Sequence, residues 1–331
     1  MSQLLSQGRD IEVTNTQGIT PLMTAAFHGK KAVVELLLIH KARPDQRDKT
    51  GETALIKAAA MGHAGVVELL FKAGADPDAV QEKGISPLMV ASYKGYTPVM
   101  ALLLKHGAQV DKTDRDGETS LLKAASRNQT KVMIQLLDNG AARNTAQELG
   151  ITPLMVAAFH GHTPVVILLL KRGEKVNMPD KTGETALIKA SVRGHVGVVR
   201  ELILGGADID HAESRGLTSL MIASYNGQKR IVKLLVSKGA SINKEDQTGE
   251  TALLKAAAAG KLEAAQLLIK GGAAINAGEM SGVTPLIVAA ANGHTDMVRY
   301  LLEKGADSNK TTKQGLTAQQ IAKRKGRKDV E

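Results

Sequence analysis

The strongest constraint on this chain is a period. Gly18, Gly51, Gly84, Gly117, Gly150, Gly183, Gly216, Gly249, Gly282 and Gly315 fall 33 residues apart, with no insertion or deletion. Their surroundings repeat with them. A fixed spacing of this length specifies stacked supersecondary units, each too small to bury its apolar face alone. The 331 residues are therefore read as one elongated solenoid domain, where length alone would suggest two or three globular ones.

The unit at Gly150 shows the local logic. Gly150 supplies a positive φ at low cost. Thr152 is placed to cap a helix and Pro153 to occupy its first position, where a missing N–H is no loss. Leu154, Ala157 and Ala158 give that helix one apolar face, and Gly161 ends it. Thr163-Pro164 is expected to cap a second helix, whose Val165-Val166-Ile167-Leu168-Leu169-Leu170 is too apolar for an exposed face; Gly173 stops it. Lys41 and Asn128 stand where other copies carry a turn glycine, and Asn tolerates the left-handed geometry.

Thr-Pro-Leu-x-x-Ala-Ala, a glycine, a Val-Val-x-Leu-Leu helix and Gly-Ala-Asp, as at Gly74-Ala75-Asp76, Gly206-Ala207-Asp208 and Gly305-Ala306-Asp307, resemble the ankyrin repeat over essentially the whole chain. The resemblance implies an all-α solenoid: a right-angled, curved stack of helix pairs with hairpin-like finger loops along one edge. Residues 1–17 read as a partial N-terminal repeat, 18–314 as nine full repeats and 315–331 as a partial C-terminal cap, in which Gln319 replaces the core leucine and faces water. The family's histidine after Thr-Pro-Leu is replaced here by Met23, Met89, Met155, Met221 or an aliphatic residue, so apolar packing is expected to replace its hydrogen bonds.

A second period lies inside the first. Units alternate between a Gly-Ile-Thr-Pro-Leu-Met type and a Gly-Glu-Thr-Ala-Leu-Ile-Lys-Ala type, which doubles the period to 66 residues. In the finger loops, Ile19, Ile85, Ile151 and Leu217 alternate with Glu52, Glu118, Glu184 and Glu250. Lys57, Lys123, Lys189 and Lys255 occupy the middle of the first helix in the second type only. Asp48, Asp114, Asp180 and Asp246 precede the glycine in that type, against Gln81, Gln147, Glu213 and Glu279 in the other. Phe27, Tyr93, Phe159 and Tyr225 recur only in the first type, and the resemblance puts their position on the concave side, where partners are usually gripped. Two readings stand. The lysines and aromatics are packing, each lysine pairing with a neighbouring Glu or Asp and each ring lying over the helix seam. Or they form a repeated partner-binding groove, with rings as anchors and charges beside them.

Other chemistries are thinly represented. There is no cysteine, hence no disulfide or thiolate site. No phosphate-binding glycine loop, nucleophile elbow or zinc-protease motif occurs. The nine histidines read as lying mostly at unlike positions within their repeats; His160-x-His162 lacks a third ligand at metal spacing, and His28 and His160 read as surface polar residues. Acids and lysines recur in register, whereas catalysis needs one special constellation. No enzyme activity, cofactor or metal is expected. No run of apolar residues is long enough to span a membrane, and no leader is visible at the N-terminus. A cytoplasmic monomer is expected, or a bacterial periplasmic one had a leader been removed.

The net charge of +10 is concentrated at one end: Lys310, Lys313, Lys323, Arg324, Lys325, Arg327 and Lys328 face two acids there. A polar end cap accounts for this. The function expected is non-catalytic protein binding through the concave face and finger loops, restraining or recruiting a partner, with nucleic-acid or acidic-surface binding by the basic tail as the alternative.

Overall fold

The computed structural model describes residues 10–143, 147, 149–327 and 329. The expectations for 1–9, for Glu148 and for Lys328, Val330 and Glu331 lie outside the described residues. Nineteen helices and no strand occur among the described residues; two isolated antiparallel bridges, Thr113 to Thr119 and Ala212 to Thr218, close fingers. The chain divides into two compact units. The first comprises Met1–Ala157 and Lys171–Glu174, and the second Ala158–Leu170 and Lys175–Glu331.

In the first unit, inner helices α1 (Pro21–Phe27), α3 (Ala54–Met61), α5 (Pro87–Lys94) and α7 (Ser120–Ser126) pack side by side in that order. Outer helices α2 (Lys31–Ile39), α4 (Ala64–Lys72), α6 (Thr97–Lys105) and α8 (Thr130–Asp138) back them. Helices α9 (Pro153–His160) and α10 (Thr163–Lys171) are shared between the units. In the second unit the inner row is α11 (Ala186–Arg193), α13 (Ser219–Tyr225), α15 (Ala252–Ala258), α17 (Pro285–Asn292) and α19 (Ala318–Arg324). Its outer row is α12 (Val196–Leu204), α14 (Lys229–Ser237), α16 (Leu262–Lys270) and α18 (Thr295–Glu303).

These helices are seven to nine residues long, too short to persist alone, so tertiary burial holds them. The repeated leucine is buried in every full unit, from Leu22 to Leu286, and the alanine pair behind it (Ala58-Ala59, Ala124-Ala125, Ala157-Ala158) is fully enclosed. Small side chains let adjacent inner helices approach closely. Most inner helices are capped as their sequence predicts: Thr20, Ser86, Thr218 and Thr284 accept a hydrogen bond from the third helical N–H, whereas Thr185 makes no such bond. Four methionines add a cap where the sequence predicts apolar packing alone. The Met23, Met89, Met155 and Met221 sulfurs each lie 3.5 Å from the cap residue's N–H, so the histidine's hydrogen bond is partly restored by a thioether, a weak acceptor.

The outer helices depart from expectation. Thr97 and Thr163 lie inside their helices at the first position and do not cap them. The residue before takes the cap position and uses its side chain on the preceding repeat. His63 Nε2–H donates to Phe27 O at 3.0 Å, His195 Nε2–H to Phe159 O at 3.0 Å and His294 Nε2–H to Ala258 O at 3.1 Å. Gln228 makes the same contact with Val192 O at 3.3 Å. Four of the nine histidines (His63, His162, His195, His294) share this one position, which corrects the expectation that they lie mostly at unlike positions. The turn glycine beneath is favoured on two counts. Gly29 has φ +65°, and a Cβ there would lie 2.6 Å from the His63 ring. Lys41 and Asn128 adopt φ of 68° and 57°, so the turns survive loss of glycine, with strain at lysine.

Fingers are stitched to one another by backbone hydrogen bonds from Lys49 N to Gln17 O, Glu82 N to Thr50 O and Arg115 N to Lys83 O, each 3.0 Å. Gln319 is exposed on α19, so the cap repeat presents a polar face.

Candidate functional site

The candidate residues lie on the inner helices and the fingers that precede them. In most fingers the residue three places before the glycine folds its side chain back onto the loop. Asp48 Oδ1 accepts from Thr50 N and Glu52 N, both at 2.9 Å, and from Thr50 Oγ1 at 2.8 Å. Asp180 and Asp246 repeat all three contacts. Glu213 and Glu279 do the same work in the other repeat type, where Glu279 accepts from Val283 N at 3.2 Å.

The second carboxylate oxygen of each aspartate meets the ladder lysine. Lys57 Nζ lies 2.8 Å from Asp48 and 2.7 Å from Glu52. Lys123 lies 2.7 and 2.6 Å from Asp114 and Glu118, and Lys189 lies 2.6 and 2.8 Å from Asp180 and Glu184. Lys255 lies 2.7 Å from Asp246 and also pairs with Glu250. The glutamates are the partners the sequence suggests first; the aspartates are more deeply buried and close the triad. Burial works against ionising Asp246, yet hydrogen bonds from Lys255, Thr248 and backbone amides outweigh it and lower its carboxyl to about 2. Asp48 and Asp180 are lowered in the same way. The four ladder lysines are raised, because their two carboxylates outweigh the cost of burial. Lys57, Lys123, Lys189 and Lys255 are thus held internally, with side chains 11–18% exposed. They tie the finger to the helix and offer little charge to a visitor.

The rings are placed differently. Phe27 is 41%, Phe159 37% and Tyr225 54% exposed, and Tyr93 is half-buried. The next repeat lays a cation on two of them: the Arg127 guanidinium is 4.3 Å from the Tyr93 ring centre and that of Arg193 is 4.7 Å from Phe159. The finger residues Ile19, Ile85, Ile151 and Leu217, like Glu52, Glu118, Glu184 and Glu250, are half-buried. Three of the predicted positions converge in the second unit: Leu217, Tyr225 and Lys255, with Met221 and Ile222, line a depression of about 230 Å³. A related hollow of about 510 Å³ occurs at the last inner-helix seam, where Ala291 replaces the ring and Val283, Ile287, Val288 and Ile321 supply apolar walls.

Among the described residues no group of three or more His, Asp or Glu could hold a metal ion, and the His160 and His162 rings stack with centroids 5.6 Å apart. No described helix is long and apolar enough to cross a membrane. In the basic tail, Arg327 Nε donates to Ala291 O at 3.4 Å.

The family profile described as ankyrin repeats (3 copies) matches in overlapping sets over residues 1–81, 66–148, 135–213, 154–246, 197–279, 220–312 and 272–330. No curated protein sequence matches the chain. Among solved structures, the human ASB11 ankyrin repeat domain superposes with a TM-score of 0.58 at 24% identity, covering 62% of this chain and 92% of that one. That likeness shows the fold. Ankyrin repeats are generally protein–protein interaction modules, typically without enzymatic activity. With its profile matched from end to end, the chain belongs to the ankyrin repeat family.

Proposed function

We propose that this chain is a non-catalytic scaffold that grips a protein partner through its inner-helix face and finger loops, and thereby restrains or recruits it. The observation that carries this reading is the aromatic series. Phe27, Phe159 and Tyr225 stay substantially exposed although the alanine-rich seams beside them are closed. Aromatic side chains held rigid beside cations, as Tyr93 and Phe159 are, match the composition of interface hot spots. The lysine triads serve this surface indirectly, by fixing each finger against the helix that carries it. A catalytic role is not supported, since each charged cluster recurs from repeat to repeat.

The test is a double substitution. Tyr93→Ala with Phe159→Ala should weaken partner binding at least about tenfold, or about 1.4 kcal/mol, with helical circular dichroism unchanged. Normal binding by that variant would move the contact surface elsewhere. Removing the residues after Lys310 should leave partner binding intact; loss of nucleic-acid affinity on that truncation would favour the basic end instead.

A further inference from the structure

The charges on the inner side of the first unit are all of one sign. Segments 27–32, 60–65, 93–98 and 126–131, which close each inner helix and open the outer one, contain no Asp or Glu. They carry Lys30, Lys31, Lys94, Arg127 and Lys131, all exposed, and none of these five is in an ion pair among the described residues. Inner helices α1, α3, α5 and α7 contain no acid either. The unit's acids are on outer helices, as Glu35 and Glu68 are, or in the fingers, where Asp48, Glu52, Asp114 and Glu118 are bound to Lys57 and Lys123. In the second unit the corresponding band is interrupted: Glu263 neutralises Lys229 at 3.0 Å.

The four segments form one surface. A side chain at Gly29, Gly62 or Gly95 would press on His63, Tyr96 or Gln129 of the following repeat, and one at Gly65 would touch the Lys31 stem. Apolar groups interleave with the cations, as exposed Phe27 and Met61 and half-buried Tyr93 do.

From this we infer that the partner presents an acidic, extended peptide segment to the inner band of the first unit. The inference rests on the protein-binding reading above and names the chemistry of the partner. Charge density decides for a peptide. Helices pack about 10 Å apart, so four repeats extend about 30 Å, with two cations on the first, none on the second, one on the third and two on the fourth, where Arg127 also covers the Tyr93 ring. An extended strand rises about 3.3 Å per residue and presents alternate side chains to one side about 6.6 Å apart. Acids towards both ends of such a strand therefore match the band, with apolar residues between them left for Met61 on the repeat that carries no cation. Duplex nucleic acid carries a charge about every 1.7 Å, several times denser than the cations here.

The test uses the full chain against a displayed library of random peptides about ten residues long, which span the band. Selected peptides should be enriched in Asp and Glu towards both ends, with apolar residues between. Their affinity should fall with added salt, and should fall at least about tenfold for the charge-reversed variant Lys30→Glu, Lys31→Glu, Lys94→Glu, Lys131→Glu. These side chains are exposed and outside the ion pairs of the described residues, so that variant should keep its helicity. Selection of neutral or basic peptides that still need Phe27 and Tyr93 would overturn the inference and leave the protein-binding reading standing. Tighter binding of an oligothymidine of equal length would overturn it in favour of nucleic acid. Failure to select any peptide would count against both.

Discussion

Glu174 breaks the repeat, and the consequence is calculable. In other repeats this position is an alanine, buried at Ala42, Ala75, Ala108, Ala141, Ala207, Ala240 and Ala306 and half-buried at Ala273. Glu174 is 5% exposed. Its Oε1 accepts from Leu154 N at 3.1 Å, its Oε2 has no hydrogen-bond partner, and the Arg143 guanidinium nearby also binds Arg172 O. Burial outweighs the hydrogen bonds from Leu154 and Thr152 and the charge of Arg143, and raises the carboxyl to about 8. A folded value above the unfolded one means stability that is complete below pH ~4.5 and is lost as pH rises to ~8. Each pH unit in that interval costs about 1.4 kcal/mol, so holding Glu174 in place costs about 3 kcal/mol at pH 7. Glu174→Ala should therefore stabilise the first unit by up to about 3 kcal/mol at pH 7, with the gain shrinking towards zero near pH 4.5. Native-state hydrogen exchange at the amides of α9 and α10, followed across this pH interval, isolates the local effect where global unfolding is not two-state. A variant less protected than the parent at pH 7, or a pH-independent difference, would refute the reasoning.

Lys189→Met leaves Asp180 and Glu184 without their shared cation; we expect a loss of about 2 kcal/mol in urea unfolding at pH 7, below the 3–5 of fully buried pairs because Glu184 is partly exposed. The Asp246 contribution, lowered in the folded state, should be present above pH ~4 and vanish as pH falls towards about 2, so Asp246→Asn should be destabilising at pH 6 and nearly silent at pH 2. Lys41→Gly removes a left-handed lysine and should raise stability by about 1 kcal/mol in thermal unfolding.

Much of the fold is legible because each rule acts ten times over. The glycine period sets the unit, Thr152-Pro153 sets the start of an inner helix, and Leu154 with Ala157-Ala158 sets its buried face. The triads are half legible. Lys57 and Glu52 share a repeat and read as neighbours, but Asp48 reads as a loop acid until the finger folds back and sets Oδ2 against the ammonium. The outer caps mislead because Thr163-Pro164 looks like Thr152-Pro153. At His63, His195 and His294 the residue before the helix takes the cap position, and its partner carbonyl lies a whole repeat away at a separation no local motif encodes. The signal is present in the shared position of His63, His162, His195 and His294. Glu174 escapes because a single departure carries no period, and only burial shows its cost.

The central claim is that partners are gripped on the inner face. Its most direct measurement is a hydrogen-exchange footprint of the full chain with a captured protein partner. Exchange should slow at the inner-helix C-termini around Phe27, Tyr93, Phe159 and Tyr225 and in the fingers at Ile85, Glu118 and Ile151, with the outer helices unchanged. Protection confined to the outer helices, or to the basic residues after Lys310, would contradict it.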